Sequence, residues 1–282
     1  MADRFERRSY LLPAEREDEV SALLWQAGTR GLEVKPAAAG EVRIEAYFLA
    51  APEGSAPPAR LASGVREVGV ESLADCDWMA TWREQAKPFT VGRRLLLDPR
   101  EPSEPPPASG ARFLLRIPAR SAFGTGSHES TRLALELLEG VDLERRRVLD
   151  VGCGSGVLAL AALDFGARLA VGFDVDLGAA LQAGQNARLN RRAGRFFAGG
   201  VAAVEPRAGF DVALVNVIPE EISPDLTLIT SRLVPGAQAI FSGILRERGR
   251  RTLADLRRRG FRRLASRTAG EWVAYRMEYR PR

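Results

Sequence analysis

The chain has 282 residues, 45% of them hydrophobic, enough for one large domain or two smaller ones with their own cores. No run approaches 18 consecutive apolar residues and the opening "MADRFERRSYLL" has no apolar leader core, so neither a membrane span nor a secretory signal is expected and the protein reads as cytoplasmic. Two isolated cysteines (Cys76, Cys153) and one histidine exclude a disulfide framework and a zinc site, so no metal is expected; the net charge of +5 favours acidic partners, ribonucleoprotein included, although a basic set with only Lys35 and Lys87 as lysines is also what an arginine-rich genome produces.

In chain order, "RRSYLL" reads as a strand. "PAEREDEVSALLWQAG" reads as a helix, with a proline start, early acids, Val20, Leu23 and Leu24 at helical spacing, and a closing Gly28. "GLEVKP" and "VRIEAYFL" read as strands, "PPARLASGV" as a short helix and "VREVGVES" as an edge strand. The order β-α-β-β-α-β is the ferredoxin-like arrangement, an α+β unit with no obvious chemistry of its own. "DCDWMATWREQAKPF" places Trp78 and Trp82 one helical turn apart, on one face of a linker helix, and "DPREPSEPPPASGAR" reads as a proline-rich loop.

Beyond residue 112, strands and helices alternate, which predicts an α/β domain with a parallel sheet closed by an antiparallel hairpin, "FRRLASRT" with "EWVAYRMEY". "AFGTGSHESTRLALELLE" holds the only histidine, His128, between a glycine turn and a helix start. Three roles are open to it: cap or anchor of that helix, wall of a substrate channel, or base. In "LDVGCGSGVLALAAL", Asp150 ends a buried strand and Gly152, Gly154 and Gly156 form a turn into a helix, where backbone can approach a ligand and unpaired N–H groups face it. The spacing is G-x-G-x-G, with Val157 where a dinucleotide fold has its third glycine, which disfavours NAD and favours S-adenosylmethionine (AdoMet).

Asp174 ends the next strand, 22 residues after Gly152, placed to accept both hydroxyl protons of a ribose, while Asp176 reads as a cap for the helix that follows. Asn216 ends a third strand, at the crevice edge of an open sheet. Its amide oxygen can face a substrate amine or the methyl donor, or the residue simply closes the strand. "NVIP" departs from the Asn-Pro-Pro-aromatic pattern of enzymes that methylate base amines.

"AFGTGSHESTRLALELLE", "VLDVGCGSGVLALAAL", "GFDVD", "VNVIPEEI", "SGIL" and "GEWVAYRM", in this order, resemble the ribosomal protein L11 methyltransferase family, PrmA. The likeness is good over residues 75–282, and 1–74 agree in domain type and length. It implies a ferredoxin-like substrate-recognition domain (1–74), a linker with a short helix (75–98) and a seven-stranded, Rossmann-like class I methyltransferase domain (99–282). It implies AdoMet-dependent methylation of lysine side chains and the N-terminal amine of a large-subunit ribosomal protein, free or on the ribosome, with no membrane partner and no sequence-specific nucleic-acid contact. By motif position Thr131, Gly152, Asp174 and Asn216 are the AdoMet contacts, with Gly154 and Gly156 in the turn. The loop Phe123, Gly124, Thr125, Gly126 is expected to fold over the methionine part, and Asn216 is the residue expected to act in catalysis. Ser130 stands where many relatives have threonine, and "NVIPEEI" is more polar than is usual there. The competing readings are a same-fold enzyme acting on another protein or on RNA, and a non-catalytic AdoMet-binding module of the ribosome.

Overall fold

The structure is a computed structural model that describes residues 5–29, 31–37, 40–49, 64–73, 87–108, 110–118, 126–206 and 208–281. The chain divides into two compact units, Met1–Thr81 and Trp82–Arg282. The short helix expected at "PPARLASGV" and the linker helix with Trp78 and Trp82 lie outside the described residues.

In the first unit β1 (Phe5–Pro13), β2 (Gly31–Pro36), β3 (Glu41–Leu49) and β4 (Arg66–Leu73) form an antiparallel sheet in the order β2-β3-β1-β4. Helix α1 (Glu17–Gln26) follows β1, and Val20 and Leu24 lie with Tyr10, Leu12, Ile44, Ala46 and Phe48 in one core. The alternation read in "VRIEAYFL" is what turns Ile44, Ala46 and Phe48 to that side. This strand order is that of a ferredoxin-like sheet.

The second unit is built on seven strands: β8 (Arg147–Val151), β9 (Leu169–Asp174), β10 (Arg195–Ala198), β11 (Phe210–Asn216), β12 (Leu233–Leu245), β13 (Phe261–Ala269) and β14 (Trp272–Tyr279). Their order is β10-β9-β8-β11-β12-β14-β13. The first five are parallel, and β14 runs antiparallel to both β12 and β13. Helices α2 (Glu129–Leu138), α3 (Val157–Asp164) and α4 (Leu177–Leu189) share the core on one face. The turns α5 (Pro219–Ile222) and α6 (Leu226–Thr230) and helix α7 (Arg246–Arg258) lie on the other.

Two features were not legible in the sequence pattern. β10 is only four residues at an edge, too short to show a period. A separate three-stranded sheet, β5 (Phe89–Val91), β6 (Leu95–Asp98) and β7 (Phe113–Arg116), lies outside α2 and α3, with Leu95, Leu97, Leu115 and Ile117 in the same core as those helices. β6 pairs in parallel with β7, Asp98 opposite Arg116, so Phe89–Asp98 is part of the larger unit and not linker. This second layer explains the composition of α3, "VLALAALD": a helix enclosed on both sides has no polar face to present. The proline-rich loop between β6 and β7 is drawn in by Arg116, which donates to the carbonyl oxygens of Glu101 and Glu104.

No helix among the described residues is long and apolar enough to cross a membrane.

Asp150, at the end of β8, is 1% exposed and its Oδ2 accepts the N–H of Ala159 in the first turn of α3 at 3.0 Å. Burial pushes its carboxyl up to about 8 against the pull of that hydrogen bond, and the nearby Asp174 charge adds to the rise. A folded-state pKa above the unfolded value near ~3.9 means the fold favours the neutral acid. That contribution is full at low pH and is lost as pH rises toward about 8, by at most about 1.4 kcal/mol per pH unit. Asp150→Asn is expected to remove this decline, so the stability gap between variant and wild type shifts in favour of the variant from pH 5 to 9 in denaturant titrations. Parallel curves would reject the assignment.

Candidate active site

The carboxyl ends of β8, β9, β11 and β12 open on one side of the sheet, where the strand order reverses between β8 and β11. A cleft of about 450 Å³ lies there, within the size range of small-molecule sites. Its floor is Gly152, Asn216 and Val217. Phe173, Asp174 and Val175 form one side, and His128, Ser130, Gly243 and Trp272 the other.

The turn after β8 is closed by its own backbone: Cys153 N donates to Phe173 O at 2.9 Å, and Gly156 N to Cys153 O at 2.8 Å. Gly152, Gly154 and Gly156 all have left-handed φ, +64°, +51° and +79°. They serve different ends. A Cβ on Gly152 would stand 2.7 Å from the Val217 side chain, so this glycine lets two strand ends close the cleft floor. Gly154 donates its N–H to Asp174 Oδ2 at 2.8 Å, which ties the turn to β9. Gly156 begins α3, and a Cβ there would meet Ala183 and Phe196, away from the cleft. Asn186, buried on α4, donates to Ser155 O at 2.9 Å and holds the turn from behind.

Asp174 stands half-exposed in the cleft wall. Its Oδ1 accepts Asp176 N at 3.0 Å, so each carboxylate oxygen holds one backbone N–H and keeps a lone pair for a ligand hydroxyl. Asp176 caps α4 through Gly178 N at 2.8 Å.

Thr131, Gly154 and Gly156 do not line the cleft. Thr131 is fully buried, and its Oγ1 accepts from Asn216 Nδ2 at 3.1 Å. That bond fixes the amide's orientation and leaves Asn216 Oδ1 buried with no partner among the described residues. Buried carbonyl oxygens are rarely left so. Gly126 packs on Leu97 and Phe89. Phe123, Gly124 and Thr125 lie outside the described residues.

His128 is the N-cap of α2: its Nδ1 accepts Ser130 N at 3.2 Å and lies 2.8 Å from Ser130 Oγ. A backbone N–H only donates, so the neutral ring carries its proton on Nε2. Burial lowers the imidazole pKa, opposed by the Glu129 charge, which keeps the ring neutral and the cap intact. The ring meets Trp272 edge-on, centroids 5.0 Å apart. Trp272 sits opposite Leu245 in the β12–β14 pairing, and Ser242 Oγ donates to Ser130 O at 2.7 Å, so the wall is braced by β12.

Ser130, Val175, Gly243 and Trp272 were not singled out in the sequence as site residues. The only signal for Trp272 was its place in "GEWVAYRM"; Gly243 and Val175 become visible only as neighbours of strand ends already identified.

A sheet in this order, with a glycine turn after its first strand, an acid ending the second and a ligand cleft at the reversal point, defines a class I methyltransferase. The family model described as ribosomal protein L11 methyltransferase (PrmA) matches residues 13–280, and the chain belongs to that family. The ribosomal protein L11 methyltransferase of Geobacter sulfurreducens is 37% identical over 212 residues, 74% of this chain and 69% of the relative. That of Thermus thermophilus is 37% identical over 203 residues, 72% of this chain and 78% of the relative. The crystal structure of ribosomal protein L11 methylase from Lactobacillus delbrueckii subsp. bulgaricus aligns with a TM-score of 0.59 at 26% identity, covering 68% of this chain and 97% of that one.

His128→Asn, which keeps a capping acceptor, is expected to fold with wild-type stability and keep the wild-type pH–rate profile. His128→Ala is expected to lose about 1 kcal/mol of stability. A loss of a hundredfold or more in kcat in the folded Asn variant would instead assign the imidazole to proton transfer.

Proposed function

We propose that this protein transfers methyl groups from AdoMet to lysine side-chain amines and the N-terminal amine of ribosomal protein L11. Membership of the family and the names of the relatives support the substrate. The single observation that carries the chemistry is the orphaned Asn216 Oδ1 at the floor of the cleft.

The residues present fit AdoMet. Asp174 offers a lone pair on each oxygen to two ribose hydroxyls, Phe173 and Val175 offer apolar surface to a flat base, and Gly152 presents bare backbone at the cleft floor. When bound, AdoMet would supply a methyl group carried on a cationic sulfonium, an electrophile for a neutral amine. Asn216 Oδ1 would accept an N–H of the incoming amine, which orients that nitrogen and leaves its lone pair free. Thr131 holds that amide in register from behind. Val217, Ile218, Ile222 and Trp272 surround the entering chain with apolar surface. An amine with a reference pKa near ~10.4 is shifted toward its neutral form by such desolvation. Proximity and alignment supply the rest, and no base is required within the step. His128, with Nδ1 committed to its cap, serves as wall and anchor.

The described residues that line the cleft all belong to the second unit, which supports assigning recognition of the protein substrate to the first. Incubation with purified L11, ribosomal RNA and an unrelated lysine-rich protein, followed by peptide mass spectrometry, tests the proposal. Methyl groups are expected on lysine and N-terminal amines of L11, and transfer confined to either of the others would overturn it.

Asp174→Ala is expected to weaken AdoMet binding ten- to a hundredfold, the equivalent of about 1.5–3 kcal/mol for a charge-assisted bond, in isothermal titration calorimetry. Unchanged affinity in a folded variant removes Asp174 from the site. Asn216→Ala is expected to lower the single-turnover rate at saturating AdoMet by more than it lowers AdoMet affinity, because alignment is expressed in the transition state. A variant that transfers as fast as wild type ends the catalytic assignment.

A further inference from the structure

The chain's net charge of +5 is not evenly spread. Between Arg246 and Arg267 ten arginines stand against two acids, Glu247 and Asp255, a formal +8, so the remainder of the chain sums to −3. A genome that prefers arginine to lysine decides which basic residue is used; it does not gather the residues in one place.

The stretch comprises α7 and most of β13. Helix α7 turns Gly249, Leu253 and Leu256 to the sheet, and Gly249 lies against the Tyr275 hydroxyl, which a Cβ would meet at 2.8 Å. Its outer face carries Arg250, Arg251, Arg257 and Arg258, all exposed. Arg263 on β13 is exposed too, and its charge bears on Tyr275, which sets it beside the Gly249 end of the helix. β13 is the outermost strand of its sheet.

Several arginines of the stretch are committed elsewhere. Arg258 pairs with Asp255, Arg259 donates to Ser223 O and Thr227 Oγ1, and Arg262 pairs with Glu278. The side chains of Arg250, Arg251 and Arg257 make no hydrogen bond or ion pair with any described residue. Arg250 and Arg257 are two turns apart on one face, about 10 Å along the axis at 1.5 Å per residue. Only the first turn of α7 stands at the cleft end of the sheet, directly after β12, whose Gly243 lines the cleft and whose Leu245 lies opposite Trp272; Arg263 lies farther along, beside Met277.

We propose that this arginine face binds the phosphodiester backbone of a folded RNA without reading its sequence. This RNA contact does not rest on the proposed substrate. A membrane surface is disfavoured because an interfacial helix turns an apolar face into the lipid, and here Leu253 and Leu256 are turned to the sheet. An acidic protein is disfavoured because protein interfaces centre on aromatic or aliphatic anchors, and between its arginines the outer face of α7 offers only Glu247 and Ala254. Guanidinium forks alone suffice for phosphate oxygens.

The test uses the full chain and a fluorescently labelled duplex RNA of arbitrary sequence, titrated by anisotropy between about 50 and 200 mM salt. Wild type is expected to bind with a steep salt dependence. A variant carrying Arg250→Gln, Arg251→Gln, Arg257→Gln and Arg263→Gln is expected to bind at least about tenfold more weakly at the lower salt, with a log–log slope shallower by about 3 to 4. The same four positions changed to lysine are expected to retain most of the slope. Three results would each overturn the proposal: unchanged RNA binding in the glutamine variant, an equal loss when Arg168, Arg188, Arg191 and Arg195 are changed to glutamine instead, or displacement of the RNA by polyglutamate at matched charge. AdoMet titration and transfer to free L11, run on the same proteins, are expected to stay at wild-type values in the glutamine variant. Their failure in the wild type would count against the proposed function and leave the RNA face standing.

Discussion

The chain must leave a buried strand, reverse, and enter a buried helix within six residues while keeping one side of that turn open to a ligand. Every N–H in such a turn needs an acceptor, and the ligand side cannot be filled by protein. Side chains at the ends of β8 and β9 supply two of the acceptors, Asp150 taking Ala159 N and Asp174 taking Gly154 N, and backbone carbonyls supply others. Glycine at three alternate positions supplies the backbone freedom. The cleft is the space this arrangement leaves.

The same constraint sets the electrostatics. Two carboxyls stand at adjacent strand ends, one sealed in the core and one facing the cleft. Burial favours the neutral acid at Asp150, while Asp174 is kept in contact with solvent and with two backbone donors. One works as a structural clamp on α3 and the other is left available to a ligand. Cys153 in the same turn is buried and its thiol pushed far up, so it takes no part as a nucleophile.

Rigidity around the cleft comes from behind. The small β5–β7 sheet presses α2 and α3 onto the main sheet, and Asn190 on the far side bridges the N–H and carbonyl of Arg116 at 2.7 Å each. Thr131 holds the Asn216 amide, Ser242 holds the start of α2, and His128 caps that helix while meeting Trp272. A transfer reaction that depends on alignment is served by such bracing, because an amide free to rotate would offer either its oxygen or its nitrogen to the incoming group.

By itself the sequence determined the parts whose cause is local. The alternation in "VRIEAYFL", the apolar spacing of α1 and the G-x-G-x-G turn followed by Asp174 and Asn216 at strand ends are read directly, because period and turn chemistry belong to neighbouring residues. What only the tertiary structure decided is where side chains meet across the sheet. β5, β6 and β10 are too short to carry a period, and the pairing of β6 with β7 across the proline loop spans a long stretch of chain. Thr131 turned out to lie behind Asn216 and Gly156 to face α4, because a motif position does not say which side of a turn a residue looks toward. Trp272 reached the cleft through the antiparallel return of β14 beside β12. That register is set by the packing of whole strands, and no short segment encodes it.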